Sequence, residues 1–163
     1  MSQEHPPQLS PTAAIEPDCS LRATTETWFE YPVRVQPHHT DYSGVVWHGT
    51  YLTWMEAARV ECLRSLGMEF GDFVKLGYDL PVIELSLRYH RSVRLGEEAI
   101  VKTRMDKIMG VRLQWNYRIE SPDTSQLYLT GQVILVAIDI EKGRILRELP
   151  PAVRETFHKL AQL

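Results

Sequence analysis

Cysteine is scarce in this chain. Two residues, Cys19 and Cys62, occur in 163. Cys19 stands in a proline-rich stretch and Cys62 in an apolar helical pattern, so no disulfide is expected, and a reducing cytoplasm is the implied compartment. Long apolar runs are absent. None reaches the ~18–20 residues that would cross a bilayer, so no membrane span is expected. Positive charge is not in excess either. The 18 Lys and Arg against 21 Asp and Glu leave a net charge of -3, which argues against nucleic acid as the main partner. The first twenty residues, MSQEHPPQLSPTAAIEPDCS, lack the basic and apolar regions of a secretory signal.

The length suits one domain with a real core. Residues 1–26 hold Pro6, Pro7, Pro11 and Pro17 and few large apolar side chains. This stretch reads as a flexible N-terminal arm, and residues 27–163 as a single domain. From Trp28 to Gln36, Phe29, Tyr31, Val33 and Val35 alternate with Glu30, Arg34 and Gln36. The period predicts a strand, and Pro32 within it predicts an edge position. Residues 50–66 predict a helix with Thr50 as N-cap and Gly67 as stop. Its apolar arc, which includes Tyr51, Trp54, Met55, Ala58, Cys62 and Leu66, is too wide for a surface helix. Arg59 falls inside that arc and needs a buried partner.

A connection over residues 67–80 leads to four strand patterns: Pro81–His90, Glu98–Ile108, Val111–Ile119 and Leu127–Ile140. The turns between them are short, as at Met109-Gly110. A last helix is expected over Pro151–Leu160. The economical packing is an α+β domain whose antiparallel sheet wraps around one long helix. Val133–Ile138 is apolar on both faces, so its outer face is expected to need cover from another sheet or a second subunit.

Chemistry-bearing residues concentrate between His38 and Tyr51, in HHTDYSGVVWHGTY. This stretch enters the N-terminus of the long helix, where free amides and the helix dipole favour developing negative charge. Asp41 lies a few residues upstream, and a carboxylate beside an oxyanion site suits attack on an acyl carbonyl. His38, His39, Asp41 and His48 are also the right types for metal ligands. Their spacing matches no ligand motif, however, and adjacent strand residues point to opposite faces, so no metal is expected. Glu56 and Arg59, at i and i+3, suit an ion pair, with Glu56 a reserve catalytic carboxylate. Arg88, Arg91 and Arg94 suit phosphate binding as readily as a solvated face.

The pattern made by Asp41, Gly44, Val45, Val46, Trp47, His48, Tyr51, Trp54, Glu56, Ala58 and Arg59 resembles the 4-hydroxybenzoyl-CoA thioesterase family of hotdog-fold proteins, and within it the acyl-CoA thioesterase branch associated with the Tol-Pal system. The later segment LRYHRSVRLGE is similar to the same branch, with Ser92 where the family usually has proline. The resemblance implies a hotdog fold and a dimer or tetramer with active sites between subunits. It implies that Asp41 is the nucleophile or general base and that the His48 backbone amide polarises the thioester carbonyl. Gly44, Val45, Trp47 and Tyr51 would then bind the acyl part, with Glu56 and Arg59 nearby. Arg88, Arg91 and Arg94 would hold the CoA phosphates. The expected activity is hydrolysis of a short-chain or aromatic acyl-CoA to free acid and CoA, with no cofactor beyond the CoA of the substrate. An acyl-carrier-protein thioesterase and a non-catalytic acyl-CoA-binding protein are the alternatives.

Overall fold

The computed structural model describes residues 27–160. The proposed arm and Cys19 lie outside them. The chain opens with strand β1 (Phe29–Arg34) and a single 3-10 turn at Pro37–His39, then enters helix α1 (Thr50–Ser65). A short helix α2 (Phe70–Lys75) and strand β2 (Tyr78–Asp79) follow. Next come the long strands β3 (Val82–Tyr89), β4 (Glu98–Met109), β5 (Arg112–Glu120) and β6 (Leu127–Val136). Strands β7 (Ile138–Asp139) and β8 (Arg144–Ile145) and helix α3 (Pro151–Leu160) complete the chain. Among the described residues, no helix is long and apolar enough to cross a membrane.

Five strands form one antiparallel sheet in the order β1-β4-β5-β6-β3, and β2, β7 and β8 form a small second sheet. β1 is an edge strand, as Pro32 requires. Its residues alternate between half-buried and exposed because only one face meets the core. Inward side chains of the sheet, among them Trp115, Tyr117, Leu113, Ile119 and Leu129, are fully buried. Tyr51, Trp54, Met55, Ala58, Cys62 and Leu63 of α1 pack into the same cluster. The sheet therefore curves around α1, as the alternating patterns predict.

Arg59 finds the partner its position demands. The side chain is only 8% exposed, and Nη1 donates to the Tyr117 hydroxyl at 3.0 Å. Burial pushes the Tyr117 phenol above its ordinary pKa, with the neighbouring guanidinium opposing that shift. Burial also pushes the Cys62 thiol up to about 11.

Several expectations need correction. Thr50 is the first helical residue and Gly49 the N-cap, with no side-chain cap; the Thr50 hydroxyl is drawn away to the His39 carbonyl at 3.1 Å. The connection over residues 67–80 is not all loop, since it holds α2 and β2. The single strand expected over Leu127–Ile140 ends at Val136, and the chain passes into the small sheet after Ala137. The outer face of Val133–Ile138 needs no neighbouring subunit. Ile134 lies between Glu84 and Gln114 in the register, and Val136 lies beside Arg112. With these longer side chains around them, Ile134 is 6% and Val136 3% exposed within one chain. Among the half-exposed apolar side chains, four share one strand, β3, where Val82, Ile83, Leu85 and Tyr89 are 44% to 49% exposed.

The Arg59–Tyr117 pair yields a stability test. Tyr117→Phe removes the hydroxyl acceptor and leaves the guanidinium buried, which should cost about 1–3 kcal/mol. A fall in the urea midpoint with an unchanged m-value would confirm it; an unchanged midpoint would show that the bond contributes nothing.

Candidate active site

The segment between β1 and α1 folds back on itself because its middle is a tight turn. The Asp41 amide donates to the Val45 carbonyl at 2.9 Å, and Gly44 N donates to the Asp41 carbonyl at 3.1 Å. Asp41 Oδ1 accepts the Ser43 amide at 2.8 Å, a side-chain turn that fixes the carboxylate. Gly44 closes the turn at φ +68°, a region that favours glycine. Thr40 pairs with Val46, and Val45 with Arg94. Asp41 is exposed, at a defined place on the surface.

The loop and the helix meet at the His39 carbonyl, which accepts the Trp47 amide at 2.9 Å as well as the Thr50 hydroxyl. The Trp47 carbonyl accepts the Thr50 amide at 2.9 Å and begins the helix. The Trp47 indole folds over Gly49 so closely that a Cβ there would lie 2.1 Å from a ring atom. Among the described residues, the His48 amide has no backbone partner. It stands at the positive end of α1, directed at whatever occupies the space before the helix. The His39 ring meets Trp54 edge-on at 5.2 Å, and burial, aided by the neighbouring His38, lowers its pKa.

The other sequence candidates divide. Tyr51 is 2% exposed, and its hydroxyl accepts the Val93 amide at 3.3 Å. It holds the loop and does not face an open pocket. Glu56 is largely exposed and its Oε1 lies 4.0 Å from Arg59 Nη2. Both line a groove of about 250 Å³ in which Leu52, Met55, Glu56 and Arg59 of α1 face Val82 and Leu85 of β3 over Val133. Gly44, Val45 and Trp47 are not in that wall and belong to the Asp41 loop. Arg94 pairs with Val45 and so stands beside the loop, and Arg91 is three residues away. Arg88 does not join them. It alternates with Tyr89, whose hydroxyl reaches the His48 carbonyl at 2.8 Å on the helix side, so Arg88 projects from the opposite face of the sheet. Among the described residues, no three His, Cys, Asp or Glu side chains gather to hold a metal ion.

Two participants escape the sequence patterns. The His39 carbonyl is a backbone group, and no residue type announces it. Tyr89 carries a faint signal, since a tyrosine on an apolar strand face needs a partner for its hydroxyl.

A family model described as the thioesterase superfamily matches residues 43–128, which run from the turn after Asp41 through α1 and the strands to the start of β6. The chain belongs to the thioesterase superfamily. One relative covers it almost end to end. It is 55% identical over 166 residues, 99% of this chain and 100% of the other, to the Synechocystis protein sll0410, provisionally named an esterase. It is 28% identical over 131 residues to the Escherichia coli protein named acyl-CoA thioester hydrolase YbgC, covering 80% of this chain and 96% of that one. The crystal structure of a DHNA-CoA thioesterase from Staphylococcus aureus superposes with a TM-score of 0.76 at 29% identity, covering 83% of this chain and 92% of that one. The fold is the hotdog fold.

The turn that carries Asp41 can be tested through Gly44. No atom lies within 4 Å of a Cβ built there, so Gly44→Ala pays only for its backbone conformation, about 1–2 kcal/mol. Chemical denaturation should read that loss. An unchanged midpoint would show that the turn has slack enough to relax.

Proposed function

We propose that this chain hydrolyses acyl-CoA thioesters to free acid and CoA. The observation that carries the reading is the pairing of a fixed, exposed carboxylate with an unpartnered amide at a helix N-terminus. Thr40 and Val46 pair across the base of the loop, so Asp41 and His48 flank one short ladder. In the proposed reaction the thioester oxygen accepts the His48 N–H, and its carbon faces Asp41. The carboxylate then takes a proton from water as water attacks, or attacks the carbon itself to form an anhydride that water opens. Charge passes to the oxygen, and the amide and helix dipole stabilise it there. Collapse expels the CoA thiolate. No metal or other cofactor takes part in these steps.

The groove along α1 is the proposed seat of the acyl group. Leu52 in its lining is four residues past His48, and its wall is apolar except for Glu56 and Arg59. Arg91 and Arg94 are the proposed phosphate contacts for CoA. Glu56 is retained as the reserve carboxylate.

Asp41→Asn preserves shape but cannot accept a proton or act as an anionic nucleophile. Turnover should fall about 10²-fold or more, measured across acyl-CoA esters of varied chain length and aromatic character. A folded variant with wild-type turnover would remove Asp41 from the reaction and promote Glu56. Including a carrier-protein thioester in the series separates the two carriers: saturation by free acyl-CoA supports CoA as the carrier.

The active oligomer is proposed to be a dimer or tetramer. The support is the apolar, unpaired edge of β3, which a second copy would cover. Light scattering at micromolar concentration should give a multiple of the 18.8 kDa chain mass. A monomeric mass with full activity would refute both the assembly and any site shared between subunits.

A further inference from the structure

A tyrosine on β3 reaches the start of α1. Tyr89 Oη donates to the His48 carbonyl at 2.8 Å. Its ring meets the Tyr51 ring edge-on with centroids 5.6 Å apart, and Tyr51 is itself anchored by the Val93 amide. The Tyr89 side chain is thus held from behind while its hydroxyl points at the turn. The N-cap Gly49 offers that turn no side chain to cap the helix.

The peptide groups on both sides of His48 are restrained. The one before it presents the Trp47 carbonyl to the Thr50 amide at 2.9 Å. In a trans peptide the carbonyl and the N–H point in opposite directions. A Trp47 carbonyl turned into the helix therefore aims the His48 N–H out of it. Among the described residues, the hydrogen bond to the peptide after His48 comes from Tyr89. With both ends held, rotation about the His48 backbone dihedrals is blocked and the amide keeps one direction.

We propose that Tyr89 is the positioning residue for the His48 amide: its hydroxyl fixes the His48–Gly49 peptide, so that the donor is already aimed where the thioester oxygen gains charge. A donor that need not reorganise during the reaction contributes most to lowering the barrier. The inference rests on the acyl-CoA hydrolysis proposed above and adds a residue that does not touch the substrate.

Tyr89→Phe keeps the ring on Tyr51 and removes only the hydroxyl. In the full-length protein, kcat should fall about tenfold, less than the roughly 10²–10³ lost when an oxyanion donor is deleted outright. KM should stay within about twofold, since the interaction matters in the transition state and not for ground-state binding. Melting temperature should hardly move, and amide hydrogen exchange should rise in the segment from 46 to 50 and nowhere else. An unchanged kcat, or unchanged exchange in that segment, would overturn the proposal. So would a parallel loss of kcat, KM and melting temperature, which marks a merely structural residue. The two readings fail differently. A wild type inactive on every ester overturns the hydrolysis and this role with it, whereas an active wild type matched by an equally active Tyr89→Phe overturns the role of Tyr89 alone.

Discussion

Two donors converge on one carbonyl oxygen, that of His39, and the rest of the site depends on them. The Trp47 amide and the Thr50 hydroxyl both end there. One belongs to the return arm of the Asp41 loop and the other to the first turn of α1. Without this shared acceptor, loop and helix would be separate bodies joined by a flexible chain. With it, a carboxylate on the loop and an amide at the helix start belong to one rigid unit. The unit is anchored in turn to the buried body of the protein through Trp54, against which the His39 ring packs.

The core supports that unit from below. A helix as apolar as α1 can be stable only when enclosed, and a curved sheet is the enclosure this chain supplies. Arg59 is the buried cation of α1, and its bond to Tyr117 ties the helix to the middle of β5. The helix end that bears the site is therefore fixed at one terminus by the loop and along its length by the sheet. Positioning at the scale chemistry requires comes from this double attachment.

The large elements are legible because each has a period. Val111–Ile119 alternates without error and becomes β5; residues 50–65 repeat at helical spacing and become α1. Strands of two residues, such as β2, β7 and β8, have no period to read, and α2 is hidden by the mixture of glycine and charge in FGDFVK. The bend after Val136 escapes the pattern because Ala137 continues an apolar run while changing its direction. Asp41 and His48 stand out as candidates because motif and helix start coincide. Tyr51 shares the motif, yet the structure buries its ring and turns its hydroxyl to the Val93 amide, a placement that motif membership does not announce. The link from Tyr89 to His48 spans 41 residues, and pairings at such range arise from topology, which local pattern does not encode.

The two borders of the main sheet are unlike. β1 carries Pro32, a residue with no amide hydrogen to offer, whereas β3 presents an apolar border without proline between Val82 and Tyr89. Of these two borders, β3 offers the more complete ladder. Joining β3 to β3 of another copy about a dyad would consume that ladder in both chains at once, giving ten strands with proline at either end. Further growth along the hydrogen-bonding direction would then have to use the β1 border, which Pro32 makes a poorer ladder. In such an assembly the proline in the first strand would sit at the outer border of a sheet joined about fifty residues later in the chain, where it removes one outward donor from the ladder a further strand would need.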